Sequence, residues 1–158
     1  PELLSENPSY DSRANFMLTA TMGLNGFISM GVDEDWATHM IGHELTALCG
    51  LDHGETLAIV HPGVMDIMRK EKHGKLVQYA RRVWNITIEN EEQAIDEAIE
   101  RTENFFRSIG KKTRLSEYGI GDDVIETIVE RFKQRGWNVG EHGIVTPEKA
   151  RLILERVK

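Results

Sequence analysis

The sequence is short of the features that commit a chain to several large functional classes. One cysteine, Cys49, among 158 residues rules out an internal disulfide and fits a reducing compartment. No apolar run approaches the roughly 18 residues of a membrane span, and no signal peptide precedes the first helical pattern. Acidic residues outnumber basic ones, 26 to 19, and no basic stripe appears, which argues against nucleic acid and anionic membrane as partners. Strand-like alternation, internal repeats, low-complexity tracts and a glycine-rich phosphate loop are also missing. What remains is a chain with 40% hydrophobic residues, enough for the core of one compact domain or two small helical lobes. The expectation is a water-soluble, cytoplasmic, all-α polypeptide. It opens Pro1-Glu2-Leu3-Leu4 without an initiator Met, through either methionine removal or a cut from something longer.

Helical periodicity fills most of the length. Phe16, Ala20, Leu24 and Phe27, with Met17 and Ile28 beside them, predict a helix from about Asp11 to Met30. Asp33 is a candidate cap for a second helix reaching Cys49, where Gly50 supplies the left-handed residue expected past a helix end. Asp52, with Glu55 three residues on, resembles a capping box for a third helix from His53 to Arg69. Pro62 predicts a kink or a break within it. A short amphipathic helix ending near Trp84 follows His73-Gly74. Asn90 then caps a helix with Ile95, Ala98, Ile99, Thr102, Phe105, Phe106 and Ile109 inward, stopped by Gly110. Asp122 opens another, closed by Gly136, and Thr146-Pro147 launches the last, to Val157. The total is roughly seven or eight helices.

The chemistry concentrates in Trp36–Gly54, WATHMIGHELTALCGLDHG, which holds three of the six histidines. His39 and His43, four apart on a helix, differ by about 40° in rotation and project to one side. His53 begins the next helix after a tight turn and can fold back toward them. Neutral imidazoles converging from several elements are what a divalent metal needs. A His-x-x-x-His pair alone is a weak signal, and the His-Glu-x-x-His protease arrangement is absent, because Ala47 stands where its second histidine belongs. Glu44 and Asp52 read as a helix-face charge and a cap. A cation at His53 would also face the positive end of that helix dipole, so the site wants an anionic ligand from elsewhere. The segment looks like half of a metal site. The remaining histidines, His61, His73 and His142, read as surface or turn residues, Cys49 as a packing residue, and Trp36, Trp84 and Trp137 as core.

The words around these histidines are recognisable. His39-Met40-Ile41-Gly42-His43, followed after nine residues by Asp52-His53-Gly54, resembles a signature of the iron-containing (group III) alcohol dehydrogenases. Tyr10-Asp11-Ser12-Arg13-Ala14-Asn15-Phe16, Asp35-Trp36-Ala37-Thr38-His39 and Val83-Trp84-Asn85-Ile86 resemble its NADPH-dependent butanol dehydrogenase and aldehyde reductase branch. The resemblance runs essentially from end to end, although Gly42 and Asp52 stand where the family more often has Ala and Pro. It implies the C-terminal part of a dehydroquinate synthase-like helical metal domain, without the N-terminal α/β dinucleotide-binding domain, and hence a fragment of a longer chain.

In that family an aspartate and a histidine from earlier in the chain hold the metal together with two histidines fourteen apart. His39 and His53 match the later pair. The earlier pair has no counterpart here. His43 matches a non-ligand histidine near the reaction centre, a candidate proton relay or substrate contact. The resemblance implies hydride transfer between NAD(P)H, NADP favoured, and a small aldehyde or primary alcohol, with Fe2+ or Zn2+ polarising the oxygen. It also implies a homo-oligomer, a dimer, with the nicotinamide bound mainly by the missing domain, and an inactive isolated fragment. The alternative is a stand-alone helical metal-binding or interaction module using His39, His43 and His53 without redox chemistry.

Overall fold

The structure is a computed structural model that describes residues 2–158, and these form two units, divided between Glu34 and Asp35. In the first unit a 3-10 turn, Glu2–Leu4, packs on helix α1, Tyr10–Leu24. Ser9 caps α1 by accepting from the Ser12 amide at 3.2 Å. The helix stops six residues short of the predicted Met30. Asn25 folds its side-chain oxygen onto the Phe27 amide at 3.0 Å, and Gly26 takes φ +81°, an αL geometry that ends a helix. No α1 residue is buried: Phe16, Met17, Leu18 and Leu24 are all exposed, as are Phe27 and Ile28 beyond it.

The second unit, Asp35–Lys158, contains six α-helices: α2 Ala37–Cys49, α3 His53–Ile67, α4 His73–Val83, α5 Glu91–Ser108, α6 Asp122–Arg135 and α7 Pro147–Arg156. Among the described residues there is no extended strand, only an isolated antiparallel bridge between Val139 and Val145. The expected all-α architecture is what forms. Most predicted caps also hold. Asn90 accepts from Gln93 N at 3.0 Å, Thr146 accepts from Lys149 N ahead of Pro147, and Gly50 and Gly136 end α2 and α6 in the αL region.

Helix α3 is the axis of this unit. Ala58, Ile59, Val60, Pro62, Val64 and Met65 are buried all round it, and it packs against α2, α5 and α7. A helix apolar on every side belongs in an interior. The main core joins Ile41 and Leu45 of α2, Ile59 and Val64 of α3, Ile128 and Phe132 of α6, and Ile153 and Leu154 of α7. A second cluster seats Met65 against Leu76, Ile95 and Ile99. Of the kink or break that Pro62 predicted, the break does not occur: α3 runs continuously through it. Pro62 lies buried mid-helix, where packing on three neighbours outweighs the lost backbone hydrogen bond.

Two features lock α2 and α7 onto this frame. Glu44 is 5% exposed and receives Arg131 Nη1 at 2.9 Å as well as Arg135 Nη1, both from α6. Burial pushes the Glu44 carboxyl up, yet hydrogen bonds and charge from the two guanidiniums hold it below the usual carboxylate value. Gly63 is the second feature. A Cβ there would meet Val157 Cγ1 at 2.8 Å and the Ile153 carbonyl oxygen at 2.9 Å, and that carbonyl is helix backbone.

Gly63→Ala is therefore expected to cost about 1–3 kcal/mol despite alanine's better helix propensity. Gly74→Ala in α4, with nothing within 4 Å of its Cβ, should gain up to about 1 kcal/mol. Urea denaturation of both variants checks the contrast, and equal effects would overturn it. Glu44→Ala leaves two half-exposed guanidiniums that can be re-solvated, so its cost should be about 2 kcal/mol, below that of a fully buried pair. The same titration measures it.

Candidate metal centre

The site is assembled where α3 begins beside the first turns of α2. Gly50, at φ +71°, returns its amide to the Thr46 carbonyl at 2.9 Å and turns the chain sharply. Asp52, extended at φ −60° and ψ 145°, then starts α3, its backbone carbonyl receiving the Glu55 and Thr56 amides at 2.9 and 3.1 Å. Its side chain makes no cap hydrogen bond, so the predicted capping box does not form. Cap duty at α2 also moves. Trp36 occupies the N-cap position and Asp35, rather than Asp33, accepts the Ala37 amide at 2.8 Å.

The three histidines do come together. The His39 and His53 ring centroids are 5.2 Å apart, those of His43 and His53 5.3 Å, and those of His39 and His43 6.4 Å. Trp36 stands edge-on to His39 at 4.8 Å and is 39% exposed, so it borders the site instead of entering the core. Burial lowers the His39 pKa below its ordinary 6.5, and the neighbouring His53 and His43 lower it further. That keeps His39 neutral, the form in which imidazole donates to a metal.

Spacing tests which rings can share an ion. With metal–nitrogen bonds near 2.0–2.1 Å, a ring centroid sits about 3.2 Å from the ion, and two tetrahedral ligands have centroids about 5 Å apart. His39–His53 and His43–His53 each meet this. His39 and His43, at 6.4 Å, would have to lie on opposite sides of the ion, which a tetrahedral site does not allow. Among the described residues no three histidine, cysteine or carboxylate side chains converge as a metal-binding group. The donors fit two places of a coordination sphere.

Two of the nearby carboxylates, Asp35 and Glu44, are committed elsewhere. Asp35 Oδ2 lies 2.6 Å from Lys72 Nζ, and Lys72 also donates to Glu141 Oε2 at 3.0 Å. Burial raises the Asp35 pKa, but the Lys72 ammonium and the Ala37 amide more than reverse this and keep it ionised. Glu44, next to His43 in sequence, points to α6. A cleft of ≈ 400 Å³ lies against His39, walled by Asp35, Thr38, Gly54, Leu57, His61 and Phe106.

His61 corrects the sequence reading. It is neither a surface nor a turn residue but a member of α3, facing this cleft and a second one of ≈ 220 Å³ that also touches Lys72, Lys75 and Tyr79. Burial lowers its pKa, Asp35 opposes that, and His39 adds to it. Its signal was an imidazole inside the apolar run Leu57 to Met65, a place where a surface histidine does not belong. His142 is in a 3-10 turn away from these histidines, and His73 begins α4 beside Glu91 and Glu92. Cys49 packs against the main core, where burial raises its thiol pKa, as expected of a packing residue.

A pH dependence follows. A histidine whose folded pKa lies below 6.5 takes up its proton first in the unfolded chain, so acidification favours unfolding. Stability present above the unfolded value is lost as pH falls through 6.5 toward the folded pKa. His61→Gln should shrink the drop in urea midpoint between about pH 7.5 and about pH 5.5. A drop identical to that of the parent chain would show that His61 is not held neutral.

Comparison with known proteins agrees with this architecture. The model of the Fe-containing alcohol dehydrogenase family, C-terminal part, matches residues 1–148. The chain is 46% identical to the NADPH-dependent aldehyde reductase YqhD of Escherichia coli, over 100% of this chain and 41% of that protein. It is 33% identical to the NADH-dependent butanol dehydrogenase A of Clostridium acetobutylicum, over 98% of this chain and 40% of that one. The crystal structure of E. coli YqhD superposes with a TM-score of 0.95 over the whole chain, at 46% identity and 41% of its own length. The butanol dehydrogenase A structure from Thermotoga maritima gives 0.85 at 30% identity, over 95% of this chain and 40% of that one. The chain thus spans about two fifths of the relatives it matches. It belongs to the iron-containing alcohol dehydrogenase family and corresponds to that family's C-terminal helical part.

Proposed function

We propose that this chain is the metal-holding helical part of an NAD(P)-dependent alcohol dehydrogenase or aldehyde reductase. The observation that carries the reading is the pairing of His39 and His53, 5.2 Å apart on two helices, within a member of this family. His39 and His53 are the two ligands this chain contributes to a divalent cation, Fe2+ or Zn2+. The remaining ligands, an aspartate and a histidine, and the dinucleotide-binding domain belong to the whole protein. When bound, the cation supplies Lewis acidity to the carbonyl or alkoxide oxygen of a small aldehyde or primary alcohol.

The chain's own residues do the rest of the work assigned to this part. His39, kept neutral by burial and by its two imidazole neighbours, offers a nitrogen lone pair without first losing a proton. His43, 5.3 Å from His53 and unable to share a tetrahedral ion with both others, holds or passes the proton that the substrate oxygen gains or loses. Asp35 and Glu44, tied to Lys72 and to Arg131 and Arg135, leave the centre without an anion of its own, which suits an aspartate from outside this segment. NADPH is the favoured reductant, since the relative at 46% identity is an NADPH-dependent aldehyde reductase. A cytoplasmic homo-dimer completes the proposal. No described helix is long and apolar enough to cross a membrane.

The stand-alone metal module is the competing reading, and alanine changes separate the two. Zn2+ titration calorimetry should show binding weakened at least about tenfold by His39→Ala and by His53→Ala, and little changed by His43→Ala. Equal losses at all three histidines would favour the module. The 158-residue chain, mixed with NADPH, an aldehyde and Zn2+ or Fe2+, should oxidise no NADPH. Turnover by the chain alone would sink the assignment of cofactor binding to another domain.

A further inference from the structure

We infer that Gly42 is a positioning residue: its missing side chain permits the approach of α2 to α3 that brings His39 and His53 to metal-ligand spacing. The inference rests on the ligand reading above and extends it to a residue with no donor atom. Gly42 lies on α2 between His39 and His43 and is buried. In a helix interior glycine costs up to about 1 kcal/mol relative to alanine, so local helix formation does not explain it. The packing does. A Cβ at Gly42 would meet Thr56 Oγ1 at 2.8 Å and Thr56 Cβ at 3.3 Å. By contrast Gly54 and Gly74, also helical, have nothing within 4 Å.

Thr56 cannot simply swing aside. It is 0% exposed, and its hydroxyl donates to the His53 carbonyl at 2.9 Å. Turning that hydroxyl away would strand a buried donor, so the strain passes to α3 as a whole. Bringing the contact to an ordinary 3.4 Å requires about 0.6 Å of helix separation, whereas metal–ligand distances tolerate about 0.2 Å. Gly42 is three residues from His39, and Thr56 is three residues from His53, so the pivot is within one turn of both rings. With Thr56 opposite, a side chain at this point therefore spreads the two ligands by more than a coordination sphere absorbs.

Zn2+ titration calorimetry on the 158-residue chain tests this, with urea denaturation of the metal-free variants alongside. Gly42→Ala should weaken Zn2+ binding about tenfold or more, and adding Thr56→Ala, which removes the 2.8 Å contact, should restore it to within about threefold. A merely structural role would lower the urea midpoint and leave the dissociation constant of the folded protein unchanged, and that result overturns the inference. Should Gly42→Ala fail to fold, the double variant decides: wild-type-like affinity supports the inference, and a folded double variant still ten or so times weaker overturns it. Failure of the ligand reading is separately visible. If His39→Ala and His53→Ala leave Zn2+ binding intact, that reading falls and this inference with it; if they abolish binding while Gly42→Ala does not, this inference alone falls.

Discussion

The packing of α2 on α3 is the constraint on which the candidate centre depends. Helix α3 is buried on all sides, so its position is set by α5 and α7 as much as by α2. Helix α2 must then meet a wall already fixed in space. It does so through Ile41 and Leu45 in the core and through the Gly42–Thr56 approach. The imidazoles inherit their spacing from this arrangement. Three residues, Gly50 to Asp52, separate the helices, so little slack exists for the rings to drift apart.

Electrostatics divides the same region into neutral donors and committed charges. His39 and His61 are held neutral chiefly by burial. Two carboxylates of this region are spent on structure: Asp35 on Lys72 and the start of α2, and Glu44 on α6. A pair of imidazoles fills two places of a divalent ion's coordination sphere and leaves the others to groups from outside this segment. The two ion-pair systems also hold α2 at two points, Asp35 before its first turn and Glu44 in its middle, which reduces the rotational freedom of the face that carries His39 and His43.

Much of the fold was legible in the sequence because its signals are local. Asn90, Thr146-Pro147, Gly50 and Gly136 act within one turn of themselves, and the apolar stripe of α5 is buried from Ile95 to Thr102, although Phe105, expected inward with it, is exposed. Readings failed where the deciding partner was distant. Pro62 forecast a kink or a break, and packing against three other helices keeps α3 unbroken. The stripe from Phe16 to Phe27 forecast a helix to Met30, and the Asn25-Gly26 turn ended it first. His61 read as peripheral because nothing near it in sequence announces Asp35 or the cleft beside His39.

The sequence by itself determined that the chain is helical, where most helices start and stop, and that His39, His43 and His53 are the chemically interesting group. Helical periodicity and capping are short-range, and a family signature is a string. Only the tertiary structure showed that all three rings come together and that His39 and His43, at 6.4 Å, are too far apart to share a tetrahedral ion. It also decided that Glu44 serves α6, and that His61 faces the cleft beside His39. These outcomes depend largely on distances between residues from 14 to 91 positions apart, set by side-chain volume at the helix contacts.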